Sequence, residues 1–172
     1  MHNSILAICG SASLHSANEQ LLQVLAQAKD WNVEIFNGLK SLPHFDPELS
    51  TNNPPAEIVE LRRRIEDAEG VIICTPEYVF SLPAGLKNAL EWCVATTVFG
   101  NKPTGLITAS AQGEKVHEAL QLIMKTLGAR FTPETTLLIQ GVRGKVNTAG
   151  EITDPATTES LQAFHKAFTA LL

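Results

Sequence analysis

The chain has 172 residues, 44% of them apolar, with a net charge of −5 and a pI near 5.5. That length suits one domain with a sizeable core. The acidic balance, without any basic cluster, argues against a nucleic-acid binder, and no apolar run approaches the length of a membrane span. The start, Met1-His2-Asn3-Ser4, has neither the basic flank nor the small-residue cleavage site of a signal peptide, so a cytoplasmic protein is expected. Cys9, Cys74 and Cys93 form no C-x-x-C and no metal-ligand spacing. Each lies at an apolar strand end or on an apolar helix face and reads as a small buried hydrophobe of a reducing compartment.

Strands and helices alternate along the chain. The apolar run 5–9 predicts a first strand, and Leu21, Leu22, Leu25 and Ala28 mark the inner side of a helix over 18–29. A second strand is expected at 33–36. Prolines at 43, 47, 54 and 55 make the next stretch an irregular connection. A charged helix over 55–68 turns Ile58, Leu61 and Ile65 inward, and 70–74 is a third strand. A helix over 83–96 follows, its face built on Leu86, Leu90 and Cys93; then come a fourth strand at 102–108 and a helix over 113–127 with Val116, Leu120, Ile123 and Leu127 facing in. A fifth strand at 136–139, a glycine-containing loop over 140–155 and a final helix with Leu161, Phe164, Phe168 and Leu171 complete the chain.

Five strands with helices between them require crossover connections and a parallel sheet covered on both faces. The expected architecture is therefore an α/β three-layer sandwich with strand order 2-1-3-4-5, one domain over 1–172. In that order strands 1 and 3 are neighbours, and the switch point between them is where open α/β sheets bind ligands.

The loops after strands 1, 3 and 4 hold the candidate chemistry. After strand 1, Gly10-Ser11-Ala12-Ser13-Leu14-His15-Ser16-Ala17-Asn18 places small and hydroxyl residues at the positive end of a helix, an arrangement that accommodates an anion. N-capping by Ser16 or Asn18 explains either residue without a ligand. After strand 3, Thr75-Pro76-Glu77-Tyr78-Val79-Phe80-Ser81-Leu82-Pro83 is a proline-punctuated turn; a helix cap at Ser81 with Pro83 in the first turn is its plain structural reading. After strand 4, Ser110 and Gly113 are explained equally well by helix capping. No G-x-G-x-x-G is present, so no separate dinucleotide-binding unit is expected.

The stretch 75–92, ending Ala84-Gly85-Leu86-Lys87-Asn88-Ala89-Leu90-Glu91-Trp92, closely resembles the second flavin loop of NAD(P)H-dependent FMN reductases of flavodoxin-like fold, T-P-E-Y-N-x-S-x-P-x-x-L-K-N-A-L-D-W. Loop 1 resembles the family's G-S-x-R-x-x-S-x-N at Gly10, Ser11, Ser16 and Asn18. Loop 3 resembles it at Ser110 and Gly113 only. The resemblance implies FMN as cofactor, NAD(P)H as co-substrate, a small-molecule electron acceptor, and a homodimer or homotetramer. It implies that Ser11, Ser16 and Asn18 hold the phosphate, and that Pro76, Glu77, Tyr78, Val79 and Ser81 surround the flavin ring. No side chain is implied to be an indispensable general acid or base, and no metal site is implied.

This chain departs from the family pattern in its ligand loops. Ser13 stands where the family has arginine, and losing a charge-assisted hydrogen bond of about 1.5–3 kcal/mol weakens FMN on the order of ten- to a hundredfold. His15 is two residues away, and as an imidazolium it would replace part of that charge, making FMN affinity fall as pH rises past neutrality. Arg143 and Lys145 lie in the 140–155 loop, either as contacts for a 2′-phosphate or as solvated loop residues. Val79-Phe80 replaces a polar pair such as Asn-Gly, and Ala111-Gln112 falls in a loop that is glycine-rich in the family. The alternative reading is a flavodoxin-like binding or regulatory protein with a degenerate flavin site and no reductase activity.

Overall fold

Alternate residues of a strand face opposite ways, so an apolar run without polar interruptions must be buried on both sides. The computed structural model, which describes residues 2–147 and 149–172, meets that requirement. Strands β1 (Asn3–Cys9), β2 (Trp31–Phe36), β3 (Gly70–Thr75), β4 (Thr104–Ser110) and β5 (Thr136–Gln140) form one parallel sheet in the order β2-β1-β3-β4-β5, as the sequence predicts. The helices are α1 (Ala17–Leu25), α2 (Pro47–Asn52), α3 (Ala56–Asp67), α4 (Ala84–Trp92), α5 (Glu114–Thr126) and α6 (Pro155–Leu171). Ile5, Ala7 and Cys9 of β1 pack with Leu21 and Leu22 of α1 and with Phe164 and Phe168 of α6 in one apolar cluster. Leu6 and Ile8 join Leu61, Leu86, Leu90 and Leu120, from α3, α4 and α5, in the other. Among the described residues no helix is long and apolar enough to cross a membrane.

Register brings the C-terminal ends of three strands together: Cys9 of β1 pairs with Cys74 of β3, and Thr75 of β3 with Thr108 of β4. At the opposite, N-terminal ends of β3 and β4, two glycines let the second half of α6 lie directly on the sheet. A Cβ on Gly105 would meet Phe164 Cζ at 2.5 Å, and one on Gly70 would meet Leu172 Cδ2 at 2.5 Å and Phe168 Cζ at 2.8 Å.

Several element bounds differ from the sequence-based expectation. The connection over 42–55 contains α2, whose start is an Asp-Pro signal: Asp46 caps it through Glu48 N–H at 2.8 Å, with Pro47 in the first turn. α1 ends at Leu25, its last turn tightening into i→i+3 bonds at Gln27 and Ala28. α4 ends at Trp92 because the Arg62 guanidinium occupies the Trp92 carbonyl while also bonding the Ser50 hydroxyl at 2.9 Å. β4 runs two residues further than expected, so Ser110 belongs to the strand.

Gly105→Ala is expected to overpack the contact with α6, because the Phe164 ring is buried and has no free space into which to turn. A loss of about 1–3 kcal/mol, read as a lower urea midpoint at unchanged slope, is the expected outcome.

Candidate functional site

Loop 1 is shaped largely by its own hydrogen bonds. Gly10 N–H donates to the Cys74 carbonyl at 2.8 Å, and a Cβ there would lie 2.6 Å from Thr75 Oγ1, so only glycine keeps β1 and β3 this close. The Ser11 hydroxyl accepts from Ser13 N–H at 3.2 Å. Ser16 caps α1 by accepting from Glu19 N–H at 3.2 Å, and the Glu19 carboxylate in turn accepts from His15 N–H at 3.0 Å. His15 has φ 51, a left-handed conformation that histidine tolerates better than most residues. Asn18 is 4% exposed and turned inward: its Nδ2 donates to the Ala109 carbonyl at 3.1 Å and its Oδ1 accepts from the Cys74 thiol at 3.3 Å. The Asn18 side chain therefore ties α1 to β3 and β4, and toward the loop it offers its backbone N–H. The first-turn N–H groups of Ala17 and Asn18 have no intrahelical partner.

Loop 2 is clasped to loop 3. Glu77 N–H donates to Ser110 Oγ at 3.2 Å, and the Glu77 carboxylate accepts from Val116 N–H at 3.1 Å and Gly113 N–H at 3.4 Å. The residue preceding α5, Gly113, has φ 91 and no side chain to cap with, so Glu77 satisfies that helix start from another loop. Gly113 is thus the N-cap residue, its carbonyl accepting from His117 N–H at 2.9 Å, while Ser110 takes part in capping only through Glu77. Ser81 does not cap α4 either; Pro83 holds the N-cap position without a side-chain bond. Ser81 instead exchanges two backbone hydrogen bonds with Tyr78, both at 3.0 Å. Between them Val79 (φ 51) and Phe80 (φ 57) form a tight turn with both central residues left-handed. That is the conformation for which Asn-Gly is the favoured pair, and it gives the physical reason for the polar pair in the family pattern. The tip is solvent-exposed, with Val79 at 94% and Phe80 at 70%.

The Tyr78 hydroxyl lies 3.3 Å from Ser11 Oγ, spanning from loop 2 to loop 1. Burial pushes its phenol up, but hydrogen bonds with Ser11, Ser13 and the Ala12 backbone outweigh this and hold it below the usual phenol value. Tyr78 and Ser11 both line a cavity of about 620 Å³. Ser11, Ser13, His15, Ser16, Asn18, Pro76, Glu77, Tyr78 and Ser110 line it together, whereas Val79, Ser81 and Gly113 lie outside the lining. Its remaining wall comprises Leu14, Ala17, Ala109, Ala111 and the turn Gly141, Val142 and Arg143. The sequence offers Arg143 only as a 2′-phosphate contact or a solvated loop residue, since nothing local marks the approach of this turn to loop 1; the turn is pinned by Gly141 N–H donating to the Ala111 carbonyl at 3.1 Å. Lys145 is paired elsewhere, 3.8 Å from Asp154. Burial pushes all three cysteine thiols up, Cys93 to about 12, so they remain protonated at neutral pH and are not nucleophiles.

Residues 3–143 match the family described as NADPH-dependent FMN reductase. The chain belongs to that family. Relatives include a Vibrio ruber protein named NADH:(hydroxy)cinnamate reductase subunit CrdA, 34% identical with 95% of this chain and 84% of the relative covered. The quinone reductase of Escherichia coli K12 is 28% identical, covering 95% and 92%. Among solved structures, the flavoenzyme NAD(P)H:(acceptor) oxidoreductase FerB from Paracoccus denitrificans superposes with a TM-score of 0.80 at 26% identity, over 98% of this chain and 96% of that one. The fold is thus flavodoxin-like, and the protein is an oxidoreductase of the family that works with FMN and NAD(P)H.

The turn at 79–80 stores strain that the family's polar pair does not. Replacing it, as Val79→Asn with Phe80→Gly, relieves roughly 1–2 kcal/mol per left-handed residue and returns part of that as glycine entropy. The double variant is expected to melt several degrees higher by differential scanning calorimetry.

Proposed function

We propose that the protein uses NAD(P)H to reduce quinones, flavins, azo compounds or metal oxyanions through bound FMN. The observation that carries this reading is one cavity at the β1/β3 switch point, with the hydroxyls of loop 1 and the Pro76–Tyr78 segment of loop 2 in a common wall. The donor set suits the cofactor. The volume falls within the roughly 300–1,000 Å³ of small-molecule sites, and hydroxyls and unpaired first-turn N–H groups suit a phosphate. The quinone reductase name of the Escherichia coli relative supports a quinone among the acceptors.

In this reading Ser11, Ser13, His15, Ser16 and the Asn18 backbone hold the phosphate. Pro76, Glu77 and Tyr78 frame the ring mostly through main-chain atoms, Val79 and Ser81 complete the turn that holds Tyr78, and Ser110 and Gly113 position Glu77 behind them. FMN held there would supply the two-electron redox chemistry between NAD(P)H and the acceptor, and one pocket shared by both substrates implies a ping-pong order. The protein's residues bind and orient. The Glu77 carboxylate is committed to the start of α5 and holds loop 2 in place, and Tyr78 closes the span to loop 1. No side chain is required as a general acid or base.

The reading takes residues 1–172 as one flavodoxin-like domain in the cytoplasm, where the thiols of Cys9, Cys74 and Cys93 persist without disulfides. It also includes assembly as a homodimer or homotetramer. A groove between α4 and α5, lined by Phe45, Leu90 and Ile123, with Val94 at 59% and Leu122 at 67% exposure, supports that assembly. Light scattering is expected to give at least twice the 18.6 kDa of one chain, and Leu122→Glu is expected to lower the assembly state.

Titration of dialysed protein with FMN, followed by flavin fluorescence, is expected to show saturable binding at micromolar or lower concentration. NAD(P)H oxidation with a quinone should then follow in steady state; absence of binding would leave the degenerate binding-protein reading. Ser13→Arg is expected to tighten FMN by roughly ten- to a hundredfold.

A further inference from the structure

Ser13 leaves loop 1 without the cation that the family pattern places there, and the charge nearby has the wrong sign. The Glu19 carboxylate is held 3.0 Å from His15 N–H, at the entrance to α1. Hydroxyls and helix N–H groups next to a carboxylate give a phosphate hydrogen bonds without charge complementarity.

Two hydrogen bonds determine what lies on the other side. Asn18 Nδ2 donates to the Ala109 carbonyl, and Gly141 N–H donates to the Ala111 carbonyl, each at 3.1 Å. Both grip the end of β4 two residues apart, so loop 1 and the turn after β5 become walls of the same cavity. Arg143 lines that cavity with Ser11, Ser13 and Ser16. Among the described residues it is the one lysine or arginine in the lining, it is exposed, and it forms no ion pair. Its neighbour Lys145 is instead drawn to Asp154.

We propose that Arg143 binds the phosphate monoester of FMN, supplying from the β5 edge the positive charge that loop 1 lacks. A guanidinium offers a planar fork of donors suited to two phosphate oxygens and keeps its charge across the physiological pH range. Arg143 and an arginine at position 13 are then alternative solutions to one electrostatic requirement, placed on opposite walls. The inference rests on the reading that FMN occupies this cavity. The 2′-phosphate of NADPH has the same chemistry, and the experiment separates the two sources.

Wild type, Arg143→Gln, Arg143→Lys and the double variant Ser13→Arg/Arg143→Gln are titrated with FMN and with riboflavin, which lacks the phosphate. Wild type is expected to prefer FMN. Arg143→Gln is expected to lose roughly ten- to a hundredfold in FMN affinity with riboflavin unchanged. Arg143→Lys should retain part of the preference, and Ser13→Arg in the Arg143→Gln background should restore most of it. Equal weakening of both flavins would mean that Arg143 only shapes the loop and would overturn the proposal. So would unchanged FMN affinity accompanied by a raised KM for NADPH but not NADH, which would assign Arg143 to the nicotinamide; in both cases FMN binding by wild type leaves the reductase reading intact. Failure of wild type to bind either flavin would remove that reading and this proposal together.

Discussion

A parallel sheet sends every strand out at the same edge, and the rest of this structure depends on that constraint. Because β1, β3 and β4 are sealed by helices on both faces, the chain can leave the core only through the loops at the strand ends, where backbone groups lose their ladder partners. The register pairing Cys9 with Cys74 and Thr75 with Thr108 brings three such exits side by side. At the other end of β3 and β4, glycines at 70 and 105 keep α6 against the sheet. The concavity is what remains when exits that close together must each turn back into a helix.

The loops do not hold their shape independently. Asn18 ties the start of α1 to the Cys74 thiol and the Ala109 carbonyl, Glu77 ties loop 2 to α5, and Tyr78 reaches back to Ser11. Each tie crosses between elements far apart in sequence and uses a side chain that would otherwise be free for a ligand. Their chemistry divides the labour: side chains secure the walls, and backbone N–H groups with short hydroxyls face the cavity. A cofactor enzyme can work with this division, since the reactive atoms belong to the cofactor.

Much of this was legible in the sequence. The uninterrupted apolar runs at 5–9 and 70–74 mark doubly covered strands, and their spacing with intervening helices leads to the order 2-1-3-4-5. The string from Thr75 to Trp92 carries the family resemblance. What escaped was non-local. A reader of Asn18 sees a possible cap or anion donor, but its inward turn depends on Ala109, 91 residues away. Ser110 and Gly113 look like caps of their own helix, yet the carboxylate that does the capping comes from Glu77. Arg143 reads in the sequence only as a 2′-phosphate contact or a solvated residue, and its place in the wall follows from the β4–β5 pairing and the Gly141 tether. α2 is the exception, since the Asp46-Pro47 start is a local signal overshadowed by the surrounding prolines.

The cap that Glu77 supplies has a consequence for motion. One carboxylate closes the first turn of α5 and fixes loop 2, so fraying of that turn and loosening of the cavity wall are a single opening event rather than two independent ones. The amides of Gly113 and Val116, 36 and 39 residues from Glu77 in sequence, therefore report on the order of loop 2. Whatever settles into the cavity and steadies Glu77 slows hydrogen exchange at the start of a helix it does not need to touch.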